Sequence, residues 1–360
     1  MNNLCEIKIP PLDKDCMAQA EARQLSLAKP PHSLGVLEEI SVRFAGMTGK
    51  LYNQAKHRRI LIFAADNGVV AEGVASAPQS VTLAQTINFT RGLTGVAVLA
   101  KHYHTELRIY DVGINARFEC PGVIDRKIAM GTRNLAVEPA MTREQALQAI
   151  EIGWQAALDA KAEGVEILGI GEMGIGNTTT SSAILSCLLG LSAEETAGRG
   201  GGVNDAGFAR KKEIIDTAIA RDHPNPEDVV DVIAKLGGFD IAAMCGAFLG
   251  AAQQRLPVVI DGYISAVAAL CAGRLCPDSV QYFFASHISC ERGYMLAVNA
   301  LKLKPMFQLE MRLGEGSGCP IAFEVIDGAL TVLRDMATFD EARIDDGYLE
   351  EIRGDSRLQR

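Results

Sequence analysis

The chain has 360 residues, 48% of them hydrophobic, which is enough for one large or two ordinary buried cores. Its formal charge is −9, with 35 Lys and Arg against 44 Asp and Glu spread along the length, so no basic stripe offers itself to a nucleic-acid backbone. The opening MNNLCEIKIPPLDKDCM lacks the basic and then apolar run of a secretory leader, and no uncharged apolar stretch is long enough for a bilayer; a cytoplasmic protein with neither nucleic-acid nor membrane partners is expected.

In chain order, residues 1 to about 50 read as helices by period, with a break at Pro30-Pro31. Apolar runs then alternate with helical stretches. RRILIFAAD (58–66), ELRIYDVG (106–113), VEILGIGE (165–172), LPVVIDG (256–262) and VQYFFAS (280–286) have the composition of buried parallel strands with polar residues at their carboxyl ends. Between them, Thr142 and Gln145 form a capping box ahead of Leu147, Ile150, Trp154 and Leu158, and Asn225 followed by Pro226, Glu227 and Asp228 reads as a second helix start. Residues 320–345 are helical again. The expected fold is a three-layer α/β/α domain with a mainly parallel, Rossmann-like sheet over residues 56–309, plus a small helical domain built from residues 1–55 and 310–360.

Nine cysteines without a Cys-x-x-Cys pair read as reduced thiols. His102 and His104 form the one close histidine pair, with no acidic or thiol partner at ligand spacing, so no metal is expected.

Glycine clusters mark the candidate chemistry. In GIGEMGIGNTTTSSAIL (169–185) a strand ends at Glu172 and a Gly-rich turn opens a helix near Asn177, which suits a phosphate monoester or is a tight connection only. It is not a P-loop, since no Lys follows the glycines. GRGGGVNDAGFARKKEII (198–215) brings Lys211, able to supply the positive charge missing from the first turn, or is a linker before a basic helix face. FAADNGVVAEGVASAPQSVTLAQ (63–85) is either a pocket-lining loop, with Ser76, Ala77 and Pro78 leaving room for a flat ring and Gln85 as a polar handle, or a plain surface loop. In MRLGEGSGCP (311–320), Gly314 and Gly316 flank Glu315. The carboxylate is either presented to a ligand that the glycines allow close, with a pKa raised by burial as a general base requires, or solvated on a turn.

Together these stretches resemble the nicotinate-nucleotide:5,6-dimethylbenzimidazole phosphoribosyltransferase family nearly end to end. KPPHSLGVLE (29–38), ADNGVVAEGV (65–74), IYDVGI (109–114), GEMGIGNTT (171–179), GGFDIAAMCGAFLGAA (237–252), DGYISAVAAL (261–270), SHISCERG (286–293) and RLGEGSG (312–318) follow the family's order. The resemblance implies attack of an aromatic ring nitrogen on C1′ of nicotinate mononucleotide. It implies small-molecule substrates only, no cofactor, and a homodimer. By the family's pattern Glu315 is the base, and Glu172 steadies oxocarbenium charge, orients ribose hydroxyls or supports the turn. The phosphate and ribose fall to Gly176, Asn177, Thr178, Thr179, Gly202, Lys211 and Ser289. The aromatic acceptor falls to Pro78, Gln85, Met173 and Leu313. His32, Asn67 and Ala77 depart from the pattern, which leaves the preferred ring open among dimethylbenzimidazole, other benzimidazoles, adenine and phenols. A catalytically silent nucleotide-binding protein is the alternative from another class.

Overall fold

The structure, a computed structural model, describes residues 7–349; Cys5 and residues 350–360 of the expected helical domain lie outside them. Six strands form one sheet: β1 (Arg58–Ala65), β2 (Glu106–Gly113), β3 (Val123–Asp125), β4 (Ile167–Met173), β5 (Val258–Ile260) and β6 (Phe283–Ala285). Their order is β3-β2-β1-β4-β5-β6 and every neighbouring pair is parallel. In this doubly wound order the crossovers reverse direction between β1 and β4, which opens a crevice beyond the carboxyl ends of the strands. The expected α/β class and Rossmann-like sheet are present, and the sheet is wholly parallel.

All eight residues of β1 are buried, as a strand covered on both faces requires. Arg59 is tolerated there because its guanidinium pairs with Glu106 and Glu163, each at 2.6 Å. The predicted runs miss β3, whose three partly exposed residues give neither an apolar run nor a usable alternation. One helix start also differs. The capping box at Thr142 opens the helix Arg143–Ala162 as expected, but the helix expected from Asn225 is Val229–Leu236, capped by Asp228, whose side chain accepts from Asp231 N–H at 3.2 Å. Asn225 is spent one turn earlier, its side chain accepting from Glu227 N–H at 3.1 Å.

The described chain packs as two units. The larger holds residues 7–9 and His57–Ala322, and so includes the sheet and residues 310–322. The smaller holds Pro10–Lys56 with residues 323–349. Its helices Lys14–Ser26 and Val36–Thr48 bury Ala20, Val42 and Ala45 against Leu333. Lys29 and Glu38, both buried, pair at 2.7 Å. No helix among the described residues is long and apolar enough to cross a membrane.

Within the larger unit the helices Arg143–Ala162 and Phe239–Gln253 cross through glycines. A Cβ at Gly246 would lie 1.8 Å from the Ile150 carbonyl oxygen, and one at Gly153 would lie 1.7 Å from that of Ala243. Backbone therefore meets backbone, and no side-chain shift relieves a methyl there. Gly246→Ala is expected to cost about 1–3 kcal/mol by overpacking, read as a lower thermal midpoint. Gly328→Ala, which sits inside the helix Cys319–Asp335 with nothing within 4 Å of the new Cβ, is the control and is expected to raise the midpoint slightly.

Candidate active site

The crevice holds a cavity of about 260 Å³, formed by the carboxyl ends of β4, β5 and β6 and by the loop and helix that follow β1. Of the residues expected at the site, Gln85, Glu172, Met173, Gly176, Asn177, Thr178, Ser289, Leu313 and Glu315 line it. Pro78, Thr179, Gly202 and Lys211 do not. Pro78 instead accepts Val81 N–H at the start of the helix Ser80–Thr90, at 3.1 Å. Thr179 is fully buried in its helix, and Gly202, at φ +111°, closes a turn onto the Arg199 carbonyl.

Glu315 lies in a loop that few sequences can adopt. Gly314, Glu315 and Gly316 have φ of +83°, +64° and +90°, three left-handed residues in succession, of which only the glutamate carries a steric cost of about 1–2 kcal/mol. Three backbone bonds hold it. Glu315 N–H donates to Glu172 Oε1 at 3.3 Å, while Gly316 and Gly318 donate to the two oxygens of Asp261 at 2.9 and 2.6 Å. The side chain, 5% exposed, accepts from Gln85 Nε2 and from Val96 N–H, each at 3.2 Å. Val96 belongs to the first turn of the helix Gly95–His102. Burial pushes the Glu315 carboxyl above the usual range, and these donors pull the other way without cancelling the rise. The solvated-turn alternative is excluded.

The glycines also serve the packing of the loop itself. A Cβ on Gly314 would lie 2.6 Å from Glu172 Oε1, one on Gly316 would lie 3.0 Å from Ile60, and one on Gly171 would lie 2.5 Å from the Glu315 carbonyl oxygen. They allow the loop to lie directly on β4, so the close approach is of protein to itself.

Glu172 is the second buried carboxyl. Its Oε2 accepts from Asn177 Nδ2, which also donates to Asp240 Oδ2 at 3.0 Å. Both amide hydrogens of Asn177 are therefore used within the protein, and its side chain joins two carboxyls. Desolvation, with Asp240 close by, pushes Glu172 up to about 8; desolvation likewise raises Asp240.

The two Gly-rich stretches meet at Thr178. A Cβ on Gly200 would lie 2.8 Å from its Oγ1. Lys211, wholly buried behind the cavity wall, donates to that oxygen at 2.9 Å and to the Gly198 carbonyl at 3.0 Å. Burial lowers its pKa to about 8, so it remains largely charged at neutral pH. Arg199, Gly200, Gly201 and Arg312 line the same end. The residues that sequence reasoning did not single out are Asp240, Asp261, His287, Arg199 and Arg312. Asp261 ends the LPVVIDG strand run, so the carboxyl-end rule carried a signal for it, whereas Asp240 sits inside a helical pattern and gave none. Among the described residues no group of three or more His, Cys, Asp or Glu has the arrangement to hold a metal ion.

Glu172 makes stability depend on pH. Its folded pKa of about 8 lies above the ordinary value of 4.5, so the native state holds the extra proton between these limits and stability falls as pH rises through that window. Glu172→Gln keeps the neutral shape at all pH values. Its thermal midpoint relative to the natural protein is expected to be more favourable at about pH 8.5 than at about pH 5; an equal difference at both would show that Glu172 is ionised throughout.

Comparison with known proteins agrees with this geometry. A family model described as Phosphoribosyltransferase matches residues 9–344. A nicotinate-nucleotide–dimethylbenzimidazole phosphoribosyltransferase of Clostridium perfringens is 53% identical over 342 residues, 95% of either chain. One of Ruminiclostridium cellulolyticum is 50% identical over 337 residues, 94% of this chain and 96% of the relative. The crystal structure of the enzyme of that name from Thermus thermophilus matches with a TM-score of 0.88 at 38% identity, over 93% of this chain and all (100%) of the other. The chain belongs to the nicotinate-nucleotide–dimethylbenzimidazole phosphoribosyltransferase family.

Proposed function

We infer that this protein transfers the phosphoribosyl group of nicotinate mononucleotide to 5,6-dimethylbenzimidazole, giving α-ribazole 5′-phosphate and nicotinate for the lower ligand of cobalamin. The observation that carries the reading is a match at 53% identity over 95% of either chain to a relative of that name, in a chain whose cavity is lined by the buried carboxylate Glu315 and by Thr178, which Lys211 contacts. A silent binding protein gains nothing from burying that acid, which costs free energy to desolvate.

In this reading one benzimidazole nitrogen attacks C1′ while the bond from C1′ to the pyridinium breaks, and the bonding pair leaves on the nicotinate nitrogen. The leaving group departs without a proton, so no general acid is needed. The attacking ring becomes cationic, and its second N–H gives its proton to Glu315, whose raised pKa suits a base near neutral pH. Met173 and Leu313 supply flat walls for the acceptor, with Gln85 oriented by its bond to Glu315. Thr178, Gly176 and Ser289 face the phosphate, and Lys211 acts through Thr178 from behind. Glu172, held neutral below about pH 8, suits orientation of a ribose hydroxyl better than stabilisation of a cation. Family membership further supports a cytoplasmic homodimer, with the smaller helical unit as a separate domain.

Glu315→Gln tests the base. Its kcat for nicotinate release with dimethylbenzimidazole is expected to fall about 100- to 10,000-fold, with binding of nicotinate mononucleotide retained by calorimetry. A full-rate variant would remove Glu315 from the role. Products from a panel of benzimidazoles, adenine and phenol, identified by mass, test the acceptor; a higher kcat/KM with adenine or phenol than with dimethylbenzimidazole would overturn that assignment.

A further inference from the structure

The loop bearing Glu315 is fixed by a carboxylate with no part in the reaction as written, Asp261 at the carboxyl end of β5. We propose that Asp261 is a positioning residue of the phosphoribosyl transfer: it clamps the backbone on the far side of Glu315 and so keeps that side chain aimed into the cavity. The proposal rests on the reading of Glu315 as the base.

Both oxygens of Asp261 are occupied by this loop, Oδ2 by Gly316 N–H at 2.9 Å and Oδ1 by Gly318 N–H at 2.6 Å. The aspartate is itself immobilised. It is 2% exposed, and its N–H donates to Ser265 Oγ at 3.2 Å, whose hydroxyl donates to the Ile170 carbonyl of β4 at 3.1 Å. Its carbonyl accepts from Ser286 Oγ, just beyond β6, at 3.0 Å. Contacts to β4 and to the segments just beyond β5 and β6 thus fix one residue. What Asp261 holds is a non-glycine residue at φ +64°, a conformation that an unrestrained loop relaxes away from. Relaxation would also strand two buried N–H groups, so the clamp has one well-defined state.

Charge acts in the same direction. Glu315 is faced by Gln85, by the N–H groups of Gly95 and Val96, and by Asp261. Asp261 in turn is faced by His287 and by the N–H groups of Gly262, Gly316 and Gly318, and its charge also reaches Glu172, Cys319 and Tyr294. After burial, the like charge of Asp261 is what raises the proton affinity of Glu315. Position and basicity of the base therefore depend on the same aspartate.

Asp261→Asn keeps the shape but sets an amide NH2 against one of the two backbone donors. Its kcat is expected to fall about 100-fold, as for a catalytic group displaced by about 1 Å, while KM for both substrates changes less than about threefold. The acid limb of its kcat profile is expected to move to lower pH. In a Glu315→Gln background the same substitution is expected to cost less than about threefold, because groups acting as a unit are not additive. Ser265→Ala, which loosens the aspartate without removing it, gives the same signature at smaller size and replaces Asp261→Asn if that variant does not fold. Wild-type kcat and pH profile in Asp261→Asn, or a loss that multiplies in full with that of Glu315→Gln, overturns the clamp. Full activity in Glu315→Gln overturns the base reading instead.

Discussion

The site depends on a contact between backbones. Residues Gly314–Gly318 lie on β4 so closely that a Cβ at Gly171 would meet the Glu315 carbonyl, and one at Gly314 would meet the Glu172 carboxyl. Because the loop rests on a strand covered on both faces, its position is set by the sheet and not by its own flexibility. Everything chemical follows from that placement. It buries Glu315, brings its N–H to Glu172, and presents Gly316 and Gly318 to Asp261. A loop standing one side chain higher would leave all three carboxyls wetter and closer to their ordinary pKa values.

The cavity is lined by side chains of both charge signs. Glu172, Asp240, Asp261 and Glu315 are all buried with raised pKa values, an arrangement that concentrates proton affinity in and beside the cavity. Lys211 contacts Thr178 from outside the lining, and Arg199 and Arg312 also line the cavity. The pair Glu172 and Asp240, joined through Asn177, keeps the proton-holding side rigid as well as acidic.

The parallel sheet was legible because strands buried on both faces leave uninterrupted apolar runs, and the turn into the helix at Asn177 was legible because Gly176 must take φ +96°. Glu315 stood out by its glycines, yet the reason for the glycines did not, since Gly314 and Gly171 answer to atoms more than 140 residues apart in sequence. Lys211 and Asn177 were legible by type, while their partners inside the protein were not. Each faces a partner inside the protein, the one Thr178 and the other two carboxyls, and a linear pattern says nothing of which side of a wall a side chain takes. Asp240 was invisible for the same cause: inside an apolar helix it looks like a solvent-facing residue, although it is wholly buried. Short edge strands such as β3 offer too few residues for any period to register.

The hydrogen bond from Val96 to Glu315 couples this carboxylate to the start of a helix. A carboxylate that takes up a proton becomes a poorer acceptor, so protonation of Glu315 weakens, and its loss restores, the anchorage of the first turn of Gly95–His102. The amide of Val96 is consequently a built-in indicator of proton occupancy: its resonance frequency and its exchange with solvent follow the state of Glu315, with no label introduced into the cavity.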